Sequence, residues 1–100
     1  MRAKRWVVLY ESGPDIVRRT EPYMAEHVAN FERLAASGEL ISIGTFADPQ
    51  ADGAMTVLVS LDAARRFVEG DPFVREGLVR YRVLEWTDLY AREPSGPGDA

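Results

Sequence analysis

Residues 5–11, RWVVLYE, are apolar on both parities: in an extended chain Trp6, Val8 and Tyr10 point to one side, Val7 and Leu9 to the other. Aromatic and β-branched residues favour the strand, and Ser12-Gly13-Pro14 stops it. A strand with two apolar faces belongs in the middle of a sheet that is covered on both sides. That requirement constrains everything the rest of the chain can build.

Residues 12–21 show no clean period. Pro22 suits the first position of a helix and Gly38 its stop. Between them Met24, Val28, Phe31 and Ala35 recur at helical spacing, with Leu34 at the margin and Glu26, Asn30 and Arg33 away from the stripe. Residues 39–46, ELISIGTF, predict a second strand, residues 47–53 a turn, and residues 54–60 a third strand hairpinned to the second. In residues 61–70, LDAARRFVEG, the stripe Leu61, Ala64, Phe67 and Val68 predicts a shorter helix. The last strand begins at Val79, where Val79, Tyr81 and Val83 alternate with Arg80 and Arg82 before Leu84 and Trp86 appear on the opposite parity.

The order β-α-β-β-α-β predicts an α+β, ferredoxin-like fold: a four-stranded antiparallel sheet with both helices on one face. Two helices leave the other apolar face open. A second copy of the chain is the economical cover, because isologous twofold dimers are the commonest soluble oligomers. Residues 1–91 are expected to form this single domain. Residues 92–100, REPSGPGDA, have the composition of a disordered tail.

A formal net charge of -4 argues against a nucleic-acid partner, whose phosphates require basic groups. Arg65, Arg66, Arg75, Arg80 and Arg82 are interleaved with Asp62, Glu69, Asp71 and Glu76, which reads as a solvated face, with an anion-receiving Arg as the alternative. The absence of cysteine removes disulfides and a thiol nucleophile. The apolar run after Arg5 is too short for a signal segment or a membrane span, so a cytoplasmic location is expected, with no membrane partner.

His27 is the single histidine and the one side chain suited to proton transfer near neutrality. It falls about 60° from the Met24 and Phe31 direction, at the edge of the predicted buried stripe. There it is either a packed boundary residue or a group reaching a cleft at the rim of the sheet. Asp71, before Pro72, is placed to cap a new turn through the N–H groups near Phe73 and Val74. A carboxylate held by backbone donors is also fixed in direction and able to orient an imidazole. Tyr23, one turn before His27, is a candidate for binding substrate through its hydroxyl, or an amphipathic boundary residue. Ser42 and Thr45 are possible polar lining. One histidine and no cysteine make a metal site unexpected, and phosphate loops and Ser/His/Asp signatures are absent.

The helix carrying His27, the GELISIG segment after it, the motif Gly70-Asp71-Pro72-Phe73 with Gly77-Leu78, and a final strand bearing Trp86 resemble the YciI-like (YCII-related) family of small bacterial proteins. The resemblance spans roughly residues 5 to 90. It implies a dimeric α+β barrel of ferredoxin-like type and an active site pairing His27 with Asp71. Relatives often carry an Arg a few residues before the histidine, where this chain has Pro22-Tyr23-Met24-Ala25. Either Arg18 or Arg19 replaces it, or a different ligand is accepted. Two functions are consistent with these residues: a cofactor-independent acid–base enzyme of lyase, isomerase or hydrolase type, and a small-molecule binding or sensing dimer. A third possibility assigns His27 to packing and Asp71 to capping alone.

Overall fold

The computed structural model describes residues 2–91. Residues 92–100, expected as a disordered tail, lie outside the described residues. Strand β1 (Ala3–Ser12) is followed by a short helix α1 (Ile16–Thr20), a 3-10 turn (Glu21–Tyr23) and the long helix α2 (Met24–Ala36). Next come β2 (Leu40–Thr45), a one-turn helix α3 (Pro49–Asp52), β3 (Ala54–Leu58), α4 (Leu61–Gly70), a one-turn helix α5 (Pro72–Arg75) and β4 (Val79–Asp88). The strands are antiparallel in the order β2-β3-β1-β4, the ferredoxin-like arrangement, with β1 in the interior. The two apolar parities of β1 therefore face the two sides of the sheet.

On one side Val8 and Tyr10 pack with Leu58, Ala64, Phe67 and Val68 beneath α2 and α4, and Phe67, Leu58 and Val8 are among the largest fully buried side chains. Burying each such side chain contributes roughly 1.5 to 3 kcal/mol. On the other side Val7 lies opposite Val57 and Leu84, Leu9 opposite Met55, and Arg5 opposite Trp86. Met55, Leu84 and Trp86 are exposed there, Trp86 at 46%. The centre of this second face is apolar, with Arg5 and Arg82 beside it, and it is open among the described residues. No described helix is long and apolar enough to cross a membrane.

Three details differ from the sequence expectation. Residues 12–21 contain α1, which has no apolar period of its own; the Gln50 side chain accepts its first N–H, from Ile16, at 2.8 Å, and Ile16 and Thr20 are buried. Tertiary contacts hold it where propensity does not. The segment expected as a simple turn contains α3, capped by Asp48 accepting the Ala51 N–H at 3.2 Å, with Pro49 at the first position.

The buried face of α2 is also rotated. Asn30 and Leu34 are its buried residues, while Ala35 is exposed and Met24 is 44% exposed. Met24 and Val28 border a cavity instead of packed side chains, and Asn30 turns inward because its amide donates to the Phe67 carbonyl at 2.9 Å. Arg33 in turn donates to the Asn30 Oδ1 at 3.0 Å. This polar contact clamps α2 to the end of α4, immediately before Asp71.

Gly70 makes the clamp possible, since a Cβ there would stand 2.2 Å from the Asn30 Oδ1. Gly70→Ala is expected to destabilise the fold by about 1 to 3 kcal/mol in chemical denaturation, despite the higher helix propensity of Ala, because a buried, hydrogen-bonded amide has to move. Unchanged or increased stability would show that the close approach carries no strain.

Candidate active site

The Asp-Pro sequence starts a helical turn twice in this chain, with opposite consequences. At α3 the capping Asp48 is exposed. At α5 the capping Asp71 accepts the Phe73 N–H on Oδ1 at 3.0 Å, but it is 0% exposed. A buried carboxylate is tolerated when charge-assisted hydrogen bonds replace its water. Two side chains supply them. Tyr10 donates its O–H to Oδ2 at 2.5 Å, and the His27 Nδ1 lies 3.0 Å from Oδ1.

The imidazole is held on three sides. Phe73 stacks on it with centroids 4.0 Å apart and planes 10° from parallel, and Phe31 meets it edge-on at 5.4 Å. Phe73 thus caps the carboxylate with its N–H and seats the histidine with its ring. An ionised carboxylate only accepts, so the neutral ring carries its hydrogen on Nδ1 towards Asp71 and leaves the lone pair on Nε2. The side chain retains 13% exposure and lines a cavity of about 680 Å³. A proton acceptor of this kind, fixed in tautomer and direction, is suited to general-base chemistry.

The cavity lies between α1, α2 and the helix-facing side of β1, β2 and β3. Its wall is mostly apolar, including Ile16, Met24, Val28, Phe31 and Ile43, with Thr45 and Thr56 among its polar members. The Ser12 hydroxyl on this wall donates to the Pro49 carbonyl and that of Thr20 to the Ile16 carbonyl. Glu21 is on the wall, whereas no Lys or Arg is.

His27 and Asp71 are therefore brought together, and Tyr23 is not brought to them. Tyr23 packs partly buried against the core and does not line the cavity. Thr45 lines the cavity, while Ser42 is paired with Val57 on the open face. Neither Arg18 nor Arg19 supplies the cation that relatives often carry: Arg18 pairs with Asp15, and Arg19 donates to the Pro14 carbonyl at 3.3 Å. Arg75 is paired with Glu26 and Glu76, and Arg66 with Glu39. Arg80 and Arg82 border a separate cleft of about 530 Å³ with Glu11 and Phe46, away from His27. No group of three or more His, Cys, Asp or Glu among the described residues could hold a metal ion.

Tyr10 is a residue of this candidate site that the sequence pattern did not single out. Its parity on β1, shared with Trp6 and Val8, placed it on a covered face, and a buried phenol normally finds a hydrogen-bond partner. The partner, 61 residues away in sequence, had no local signature. Burial, reinforced by the Asp71 charge, pushes the Tyr10 phenol well above its ordinary pKa, so it donates throughout the neutral range.

The family model of the YCII-related domain matches residues 4–87. Among solved structures the chain is similar to 5-chloro-2-hydroxyhydroquinone dehydrochlorinase (TftG) from Burkholderia phenoliruptrix in complex with 2,5-dihydroxybenzoquinone. The TM-score is 0.63 at 25% sequence identity, over 82% of this chain and 92% of that one. No curated protein matches the chain in sequence.

The two Asp-Pro caps offer an internal comparison. Asp48→Ala is expected to cost about 1 kcal/mol, the usual size of a lost cap. Asp71→Ala is expected to cost about 3 kcal/mol or more, because it strands the Tyr10 hydroxyl, the His27 ring and the Phe73 N–H in the interior. Denaturant titration of the two variants checks the difference, and equal losses would reduce Asp71 to an ordinary cap.

Proposed function

The chain belongs to the YCII-related family, and from that premise we propose that it is an acid–base enzyme of lyase, isomerase or hydrolase type, acting without a cofactor on a small, uncharged ring compound. The observation that carries the reading is the Asp71-held imidazole on the wall of a cavity large enough for such a molecule. The His27 Nε2 takes a proton from the bound compound, Asp71 stabilises the imidazolium, and the proton is returned to a leaving group or to another atom of the product. General acid–base assistance of this kind typically contributes 10²- to 10⁴-fold. His27 and Asp71 are the proposed catalytic pair; Tyr23 is not carried forward as a substrate-binding residue.

The similar solved structure supports the class of chemistry. It is named a dehydrochlorinase, and dehydrochlorination removes a proton together with chloride, which calls for a base. Its bound molecule is a six-membered ring. The wall favours an uncharged ligand here, since Glu21 repels carboxylates and phosphates and no Lys or Arg on it attracts them. A second reading, a binding or sensing module, draws on the commitment of the Ser12 and Thr20 hydroxyls to backbone carbonyls, which leaves few polar groups to steer a reaction.

We also propose that a second copy of the chain covers the open face through Leu9, Met55, Leu84 and Trp86. The support is the apolar patch of Val7, Leu9, Met55, Leu84 and Trp86 on that face, flanked by Arg5 and Arg82, and a self-complementary twofold contact satisfies it with one surface.

Thermal-shift screening with uncharged phenols and quinols, each alongside its carboxylated counterpart, checks the ligand class. The uncharged members are expected to raise the melting temperature of the wild type, since binding to the native state adds stability. For any compound converted, His27→Ala and Asp71→Asn are each expected to lower turnover by about 10²-fold or more with the fold intact by circular dichroism. Full turnover in either variant removes the pair from the chemistry, and binding without product favours the sensing module. In sedimentation velocity the wild type is expected at twice the chain mass and Leu84→Glu as a monomer; a monomeric wild type would leave the open face without its partner.

A further inference from the structure

The carboxylate of Asp71 has two oxygens with different clients. Oδ1 receives the Phe73 N–H and faces His27, whereas Oδ2 receives the Tyr10 hydroxyl. We infer that Tyr10 is a positioning residue of this site: its hydroxyl fixes the carboxylate against His27 and limits how tightly that carboxylate holds a proton on the imidazole. The inference rests on the acid–base reading of His27 and adds to it the residue that sets the strength of the base.

Tyr10 is placed for this role by the sheet. On β1 it lies directly opposite Ala54 of β3 and Tyr81 of β4, and its ring stacks on Phe67 with centroids 5.7 Å apart. The turn before β3 closes over its backbone: Gly53 has φ 75°, and a Cβ there would stand 1.9 Å from the Tyr10 carbonyl oxygen. The phenol is thus locked from both ends, and its O–H has one fixed destination. A hydrogen bond to one carboxylate oxygen draws charge from the whole group, so the attraction of Asp71 for an imidazolium is weaker with Tyr10 donating than without it.

Other charges near the pair are balanced or peripheral. On α2, Glu26 is tied to Arg75 of α5, and Arg33 is engaged with Asn30. From the 3-10 turn Glu21 reaches the cavity wall, and Tyr23 packs against the core. From β4, Tyr81 lies close enough to Tyr10 to influence it. None of these touches the Asp71 carboxylate through a hydrogen bond, and Tyr10 does.

Because His27 is the single histidine, its titration can be followed without assignment by nitrogen-15 and carbon-proton NMR of the full chain, with no ligand. Tyr10→Phe is expected to raise the titration midpoint of His27 by about half a pH unit or more, roughly a threefold gain in proton affinity. Placing 3,5-difluorotyrosine at Tyr10, which keeps the ring and makes the hydroxyl a stronger donor, is expected to lower it. The fluorinated protein keeps the test intact if Tyr10→Phe does not fold. An unchanged midpoint in both, or shifts in the reverse order, would overturn the role and return Tyr10 to simple packing. Loss of the acid–base function itself is read separately from turnover in His27→Ala, so either idea can fail alone.

Discussion

The structure turns on one buried carboxylate. Asp71 has no exposure to water, and its negative charge is tolerable inside the fold because donors from three separate elements replace hydration: Tyr10 from β1, His27 from α2 and the Phe73 N–H from α5. The same hydrogen bonds tie the sheet to the helical layer and aim an imidazole at a cavity. Stabilising the interior and fixing the imidazole at the cavity are therefore one arrangement. The Gly70 and Asn30 contact serves it from behind, by bringing the end of α4 close enough to α2 for the carboxylate and the ring to meet.

The cavity sits on the side of the sheet where a chain this small would otherwise complete its core. Met24 and Val28, which at helical spacing look like core residues, face this space. Leaving it unfilled forgoes packing and burial that the fold could have used. An apolar wall with a fixed imidazole on it is what that sacrifice provides. The opposite face of the sheet presents Leu84, Met55 and Trp86 to solvent, with no described element over them.

Much of this was legible in the residues. The two-sided β1, the β-α-β-β-α-β order and the Asp-Pro cap follow from periodicity and turn chemistry, and the fold is the ferredoxin-like one they predict. What was not legible depends on distant partners. Asp48 and Asp71 make the same local cap, and burial alone separates a surface turn from a candidate site residue. Asn30 appears polar and outward by pattern, yet the Phe67 carbonyl draws it inside. Helix α1 is held by Gln50 from elsewhere in the chain, and Tyr10 finds its acceptor across the whole fold. Local rules assign elements well; they do not say which polar groups will meet.

The central claim is that Asp71 fixes His27 with its hydrogen on Nδ1 and its basic nitrogen, Nε2, towards the cavity. Long-range proton–nitrogen correlation of the single imidazole in the unmodified protein, at a pH where the ring is neutral, reads the tautomer directly. The account predicts the Nδ1–H form, with Nε2 at the chemical shift of an unprotonated nitrogen. A ring protonated on Nε2, or one averaging between the two tautomers as a free imidazole does, would contradict it.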